Sequence, residues 1–254
     1  MSEAVQYRVG AGVATLTMDQ PETRNALTPE LVEGLFEGLD AARADPAVRV
    51  VVITNTGPAF CAGADLSGRT NPAVKQKIGV EQVLAAILDS PKPVVGRVAG
   101  HCMGGGVGLA AACDLSVAPV GVRFGFTEVR LGVAPAIISV VCLPKLRRGD
   151  ALELYLTGER ISASRAAEVG LITSAVPVDA LDAAVSELIT KLAAGGPAAL
   201  AAAKKLVADV PGAARDEAFS WTAELSRALF ASAEAAEGMA AFREKRPPSW
   251  VPSP

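Results

Sequence analysis

The sequence predicts an α/β fold: strand–strand–helix units over about the first 175 residues, then a helical C-terminal region. Three observations predict it. Short β-branched apolar runs recur between glycine- and proline-marked turns. Segments with apolar residues at helical spacing lie between those runs. From Pro197 onward no run has strand character. Strands mixed with helices early, and helices alone later, define an α/β core with a helical appendage.

Val5 to Val9 and Val13 to Thr17 read as two strands around Gly10-Ala11-Gly12, a hairpin signal. Thr28-Pro29 reads as a helix N-cap with proline in the first helical position. Leu31, Leu35 and Leu39, with Val32 and Phe36, form the apolar stripe that follows. Arg49 to Thr54 is a buried strand. A loop runs from Asn55 to about Pro72, and the next helix is predicted over Val74 to Leu88. Pro93 to Val98 is a strand, and a glycine-rich run leads into a helix of small residues over Gly105 to Ala112. Leu115 to Ala118 and Val122 to Phe126 are further strands. Helices dominate after Pro135. Asp179 is predicted to cap a helix carrying Leu181, Val185, Leu188, Ile189 and Leu192, which Gly195-Gly196 ends before Pro197 opens another.

Composition narrows the function. With 254 residues, 50% of them apolar and 20% charged, the chain can bury a sizeable core. A net charge of -3 carries no electrostatic footprint for nucleic acid or an anionic membrane. The uncharged run Val98 to Cys113 is too short and too glycine-rich to span a bilayer, which takes about 20 residues. Met1-Ser2-Glu3-Ala4 has no basic region followed by an apolar one, so the expectation is a cytoplasmic protein. Cys61, Cys102, Cys113 and Cys142 form no C-x-x-C pair and His101 is the single histidine, so reduced thiols and no metal site are expected. A nucleophile–histidine system would have to use His101, which has no G-x-S-x-G elbow beside it. A carboxylate is therefore the expected acid or base of an enzyme with this sequence.

Three segments carry chemistry. Ala59-Phe60-Cys61-Ala62-Gly63-Ala64-Asp65-Leu66 follows a buried strand; its small residues let another molecule approach the backbone, and outward amides there can donate to an oxyanion. The alternative is a tight turn in which Asp65 caps the next helix. Gly104-Gly105-Gly106-Val107-Gly108 exposes amides at a helix N-terminus, where the dipole favours negative charge; close helix packing is the alternative. Gly106, Gly108 and Ala111 also satisfy G-x-G-x-x-A, with Glu128 further on, but a dinucleotide motif would open the fold rather than follow three strands. Phe126-Thr127-Glu128-Val129-Arg130-Leu131-Gly132 puts Glu128 in an apolar context. Burial would raise its pKa and suit it to proton transfer. An ion pair with Arg130 or Arg123 is the alternative.

In order and spacing these segments resemble the crotonase superfamily, the enoyl-CoA hydratase/isomerase family. The likeness runs nearly end to end: Met18-Asp19-Gln20-Pro21 through Arg24-Asn25-Ala26-Leu27, Phe60 to Leu66, Gly104-Gly105-Gly106, Ala112-Cys113-Asp114, Phe124 to Gly132, Thr157-Gly158, Ala166 to Leu171, and Ala241 to Arg246. The resemblance implies a crotonase-like spiral of ββα units. Residues 1–195 would form the core with the acyl-CoA site, and residues 196–254 a C-terminal helical region for assembly as a homotrimer or a hexamer of paired trimers. It implies an acyl-CoA substrate, with coenzyme A part of that substrate and no separate cofactor. The Ala64 and Gly105 amides match the family's oxyanion hole. Ala62 and the backbone about Arg24 and Ala26 match its CoA-binding segments, with Asp65 and Leu66 alongside, and Lys245 matches a lysine that meets the CoA phosphate, sometimes from a neighbouring subunit. Glu128 matches the second of the two glutamates that hydratases of the family typically use. The first corresponds to Gly108, which has no side chain. Thr127 to Ser139, with Gly106-Val107-Gly108-Leu109, is similar to a subgroup that includes methylglutaconyl-CoA hydratases, some of which have glycine there too. The expectation is therefore a 2-enoyl-CoA hydratase working with one glutamate. A Δ3-Δ2-enoyl-CoA isomerase and an acyl-CoA binder with little turnover are the alternatives.

Overall fold

A computed structural model describes residues 3–66 and 77–251. Val5–Gly10 (β1) and Val13–Met18 (β2) form the antiparallel hairpin. Its turn residues Ala11 and Gly12 have φ of 49° and 78°, the handedness that matches the twist of paired strands. Pro29–Ala44 (α1) is capped by Thr28, whose Oγ1 accepts the Leu31 N–H at 3.2 Å, and its buried stripe is Leu31, Leu35 and Leu39. Val50–Asn55 (β3) is buried at every residue because both faces of its sheet are covered. Val51 and Ile53 belong to the main core, and Val50 and Val52 to a smaller one on the other face.

From β3 the chain alternates between two sheets. Ala59–Cys61 (β4) and Val80–Leu88 (α2) complete one unit. Val94–Arg97 (β5), His101–Met103 (β6) and Gly105–Ala112 (α3) form the next. Leu115–Pro119 (β7), Arg123–Gly125 (β8) and Ala136–Cys142 (α4) form the third. The first strand of each unit joins a six-stranded sheet, and the second joins a four-stranded one. After Arg148–Thr157 (α5), Arg160–Ser162 (β9) closes the small sheet antiparallel to β8. Ala163–Glu168 (α6) then leads to Ser174–Val176 (β10), which ends the large sheet parallel to β7. The sheet orders are β1-β2-β3-β5-β7-β10 and β4-β6-β8-β9. This is the spiral of ββα units that the resemblance implied.

Several local expectations are corrected. The loop from Asn55 contains β4, the glycine-rich run contains β6, and the stretch after Pro135 contains β9 and β10. Among the described residues the second helix starts at Val80, after Gly79; residues 74–76 of the expected helix lie outside them. Asp179 does not cap Leu181–Ala193 (α7). It lies within a 3-10 turn, Val178–Ala180, and Ala180 takes the cap position with no side-chain bond. What fixes α7 is packing: Leu181 and Val185 bury against Val50, Val52, Val95 and Val117.

Pro197–Asp209 (α8), Arg215–Phe230 (α9) and Ala233–Glu244 (α10) contribute one buried residue, Ala241. Polar ties hold them to the core. Arg49 donates to the carbonyls of Trp250 (2.6 Å) and Gly195 (2.8 Å), and Lys204 pairs with Asp114 at 2.8 Å.

Candidate active site

Two turns at the ends of small-sheet strands meet beside the start of α3. In the first, β4 runs into Ala62-Gly63-Ala64. The Arg24–Leu27 segment is sewn to it: Ala62 N–H donates to Arg24 O at 3.0 Å and Leu27 N–H to Gly63 O at 2.8 Å, while Leu27 and Ala64 form a parallel bridge. Asn25, fully buried, holds this segment in place. Its Oδ1 accepts the Gln20 N–H, and its Nδ2 donates to the carbonyls of Thr56 and Ala59. Gly63 is glycine for two reasons: φ is +91°, and a Cβ would stand 2.8 Å from Met103 O. In the second turn, β6 ends at Gly104, also at positive φ, and Gly105 opens α3. The Ala64 and Gly105 N–H groups have no acceptor among the described residues. The Gly105 amide is one of the helix-terminal donors that cannot be satisfied within the helix.

Glu128 comes from a 3-10 turn, Thr127–Leu131, that follows β8. A Cβ on Gly104 would be 3.0 Å from Glu128 Oε1, so the carboxyl lies directly over the helix start. Glu128 Oε2 is buried without a hydrogen-bond partner among the described residues. Desolvation pushes the Glu128 carboxyl above its ordinary range, and the backbone hydrogen bond opposes this only partly. Neither arginine of the sequence alternative reaches it: Arg130 donates to Thr157 O at 3.2 Å, and Glu128 forms no ion pair among the described residues. Behind the turn, the Tyr155 ring lies 4.4 Å from that of Phe126.

Glu128, Ala64 and Gly105 line one cleft of about 250 Å³. Leu27, Ala62, Leu66 and Val80 line one side; Leu131, Val133 and the α4 residues Ile137 and Ile138 line the other. Among the described residues Glu128 is the only acid in the lining. An apolar cleft with two free amides and one desolvated carboxyl can bind a carbonyl oxygen that gains charge and move a proton next to it.

The remaining sequence-selected residues sit as follows. Arg24 is exposed and acts here through its carbonyl, and Ala26 is buried beneath the cleft wall. Asp65 is half-buried, and the helix it was expected to cap would lie outside the described residues. Leu66 is exposed at the mouth of the cleft. Lys245 ends α10 on the surface and is not in the lining. Gly108 is buried and is not among the lining residues: Ile138 covers it, and a Cβ there would meet Ile138 Cγ2 at 2.3 Å. Gly106 likewise presses on Cys61 O, where a Cβ would stand 2.3 Å away, so the glycine spacing reflects close packing. His101 lies outside the cleft, its Nδ1 accepting the Arg123 N–H. Sequence reasoning missed Asn25 as the pin and Val80, Ile137 and Ile138 as wall. No local signal marks Asn25, which ends the polar run Glu22-Thr23-Arg24-Asn25 before Ala26-Leu27.

Fold and site together define a cleft built on backbone donors and one carboxyl, and comparison with known proteins gives the family. Residues 8–252 match the model of the enoyl-CoA hydratase/isomerase family, so the chain belongs to that family and is an enzyme of it. A putative enoyl-CoA hydratase of Thermus thermophilus is 34% identical over 243 residues, covering 93% of this chain and 96% of the relative. The crystal structure of an enoyl-CoA hydratase of Mycobacterium smegmatis superposes with a TM-score of 0.90 at 31% identity, covering 98% and 99% of the two chains. That of a putative enoyl-CoA hydratase of Mycobacterium avium paratuberculosis is 46% identical, with a TM-score of 0.75 and coverage of 97% and 99%.

Proposed function

We propose that this enzyme adds water to a 2-enoyl-CoA thioester to give a 3-hydroxyacyl-CoA, using two backbone amides and one carboxyl. The observation that carries the reading is the meeting, in one apolar cleft, of the Ala64 and Gly105 amides, which have no acceptor among the described residues, with Glu128, whose buried Oε2 has no hydrogen-bond partner there. The amides hold the thioester oxygen as it gains enolate charge. Donors already aimed at that charge need no reorganisation, and losing one costs about 3 kcal/mol of barrier. The Glu128 carboxylate takes one proton from water as the water oxygen bonds to C3, and the π electrons move toward C2 and the thioester oxygen. The same carboxyl then delivers that proton to C2. One water is added and the carboxylate is restored. Desolvation supports this role, because it makes the carboxylate a stronger base than it is in water.

In this reading Arg24, Ala26, Ala62, Asp65 and Leu66 cradle the thioester and the CoA arm, and Lys245 meets a CoA phosphate. Coenzyme A is part of the substrate, and no further cofactor is assigned. Residues 196–254 form the assembly region of a homotrimer or hexamer, a role supported by the exposure of Phe219 and Phe230 (70% each) and Phe242 (86%). No described helix is long and apolar enough to cross a membrane, and a cytoplasmic site of action belongs to the same proposal.

One observation favours a second reading. With Gly108 sealed under Ile138, a single acid among the described residues lines the cleft, which suffices to carry a proton between the α and γ carbons of a 3-enoyl-CoA. Mass spectrometry over a panel of 2- and 3-enoyl-CoA esters separates the readings. A product heavier by one water supports hydration. Conversion without a change in mass, resolved by chromatography, replaces it with isomerisation. Binding without conversion leaves an acyl-CoA binder.

A further inference from the structure

We propose that Ile138 sets the size of acyl group accepted beside Glu128, and that it does so as one half of a pair with Gly108. The proposal rests on the reading above only in taking the cleft as the acyl site. Gly104 is the N-cap of α3 and Gly108 lies in its first turn, four residues on. The Glu128 carboxyl covers the first, with Oε1 3.0 Å from the position of a Cβ. Ile138 covers the second, with Cγ2 2.3 Å and Cβ 2.8 Å from the equivalent position. Carboxyl and isoleucine thus both cover the start of α3, and both line the cleft.

Ile138 is 3% exposed, packed against α3 from the first turn of α4, and β-branched. Such a side chain has little rotamer freedom and behaves as a fixed wall. The two positions share a single side-chain volume. A methyl at 108 has to push Ile138 toward the cleft, and trimming Ile138 opens space one turn beyond the carboxyl. Neighbouring Ile137, 48% exposed, has no such partner in α3.

The test uses Ile138→Ala, the milder Ile138→Val, Gly108→Ala, and the double variant Gly108→Ala with Ile138→Ala. For each folded protein, kcat/KM is measured for straight-chain 2-enoyl-CoA esters from crotonyl to decenoyl. Calorimetric Kd values are measured for the saturated acyl-CoA esters of the same lengths. Since one methylene in a tight pocket is worth about tenfold or more in discrimination, Ile138→Ala should raise the long-to-short ratio by at least about tenfold. Ile138→Val should raise it less, Gly108→Ala should lower it, and the double variant should return it toward wild type. Unchanged ratios in both Ile138→Val and Gly108→Ala would overturn the proposal. If the wild type converts no ester but the affinity ratios shift as stated, the hydration reading fails and this one stands. If no acyl-CoA binds, both fail.

Discussion

Asn25→Ala tests how the Ala64 turn is held. The wild-type side chain makes three hydrogen bonds in a fully buried position: from Gln20 N–H at 2.8 Å, and to Thr56 O and Ala59 O at 3.0 and 2.9 Å. At about 1 kcal/mol net for each bond, their loss costs about 3 kcal/mol, and more if the freed backbone groups stay dry. A domain of this size loses about 2–4 °C of Tm per kcal/mol, so the melt should fall by about 6–12 °C. Asn25 also has φ of 51°, which asparagine tolerates better than alanine. Asn25→Gly relieves that strain but restores no hydrogen bond. Thermal melts by circular dichroism, at matched protein concentration, should therefore place both variants far below wild type. A fall under about 2 °C for Asn25→Ala, or a glycine variant as stable as wild type, would refute the claim that these bonds pin the segment.

Four further outcomes follow from the structure. Glu128→Gln should lower kcat by about 10²–10⁴-fold, the usual worth of a positioned proton carrier, and kinetics at saturating ester will check it. Because the folded-state pKa of Glu128 is raised, its ionised form costs stability at neutral pH; Glu128→Gln should be the more stable protein there, and the difference should shrink as pH falls through the carboxyl range. Gly63→Ala, forced against Met103 O at positive φ, should misplace the amide pair and reduce turnover about a hundredfold in stopped-flow assays of the folded variant. All four cysteines are buried, with Cys61, Cys113 and Cys142 pushed up to about 12 by desolvation. An aromatic disulfide reagent at mildly alkaline pH should label them only after denaturation.

Elements with local signals were legible in the sequence. The Thr28-Pro29 cap and the glycine-led α3 were readable because their determinants lie within a few residues of one another. Strands of three residues, such as β4, β6, β9 and β10, have no period long enough to detect; they exist because neighbouring strands offer them partners. The Asp179 expectation failed because Leu181 and Val185 anchor α7 by burial, which fixes its start without a cap. At the site, small residues in two turns and a glutamate in apolar company pointed to Ala64, Gly105 and Glu128. The seating of Ile138 on Gly108 was not readable, because it arises from the contact of two helices some thirty residues apart.

A crystal structure of the enzyme with a 3-hydroxyacyl-CoA measures directly where the thioester oxygen sits relative to Ala64, Gly105 and Glu128. The oxygen should lie about 2.7–3.1 Å from both amide nitrogens, with the C3 hydroxyl in hydrogen-bond reach of the Glu128 carboxyl. A thioester bound with its oxygen away from these amides, or with Glu128 turned from C2 and C3, would contradict the proposed mechanism.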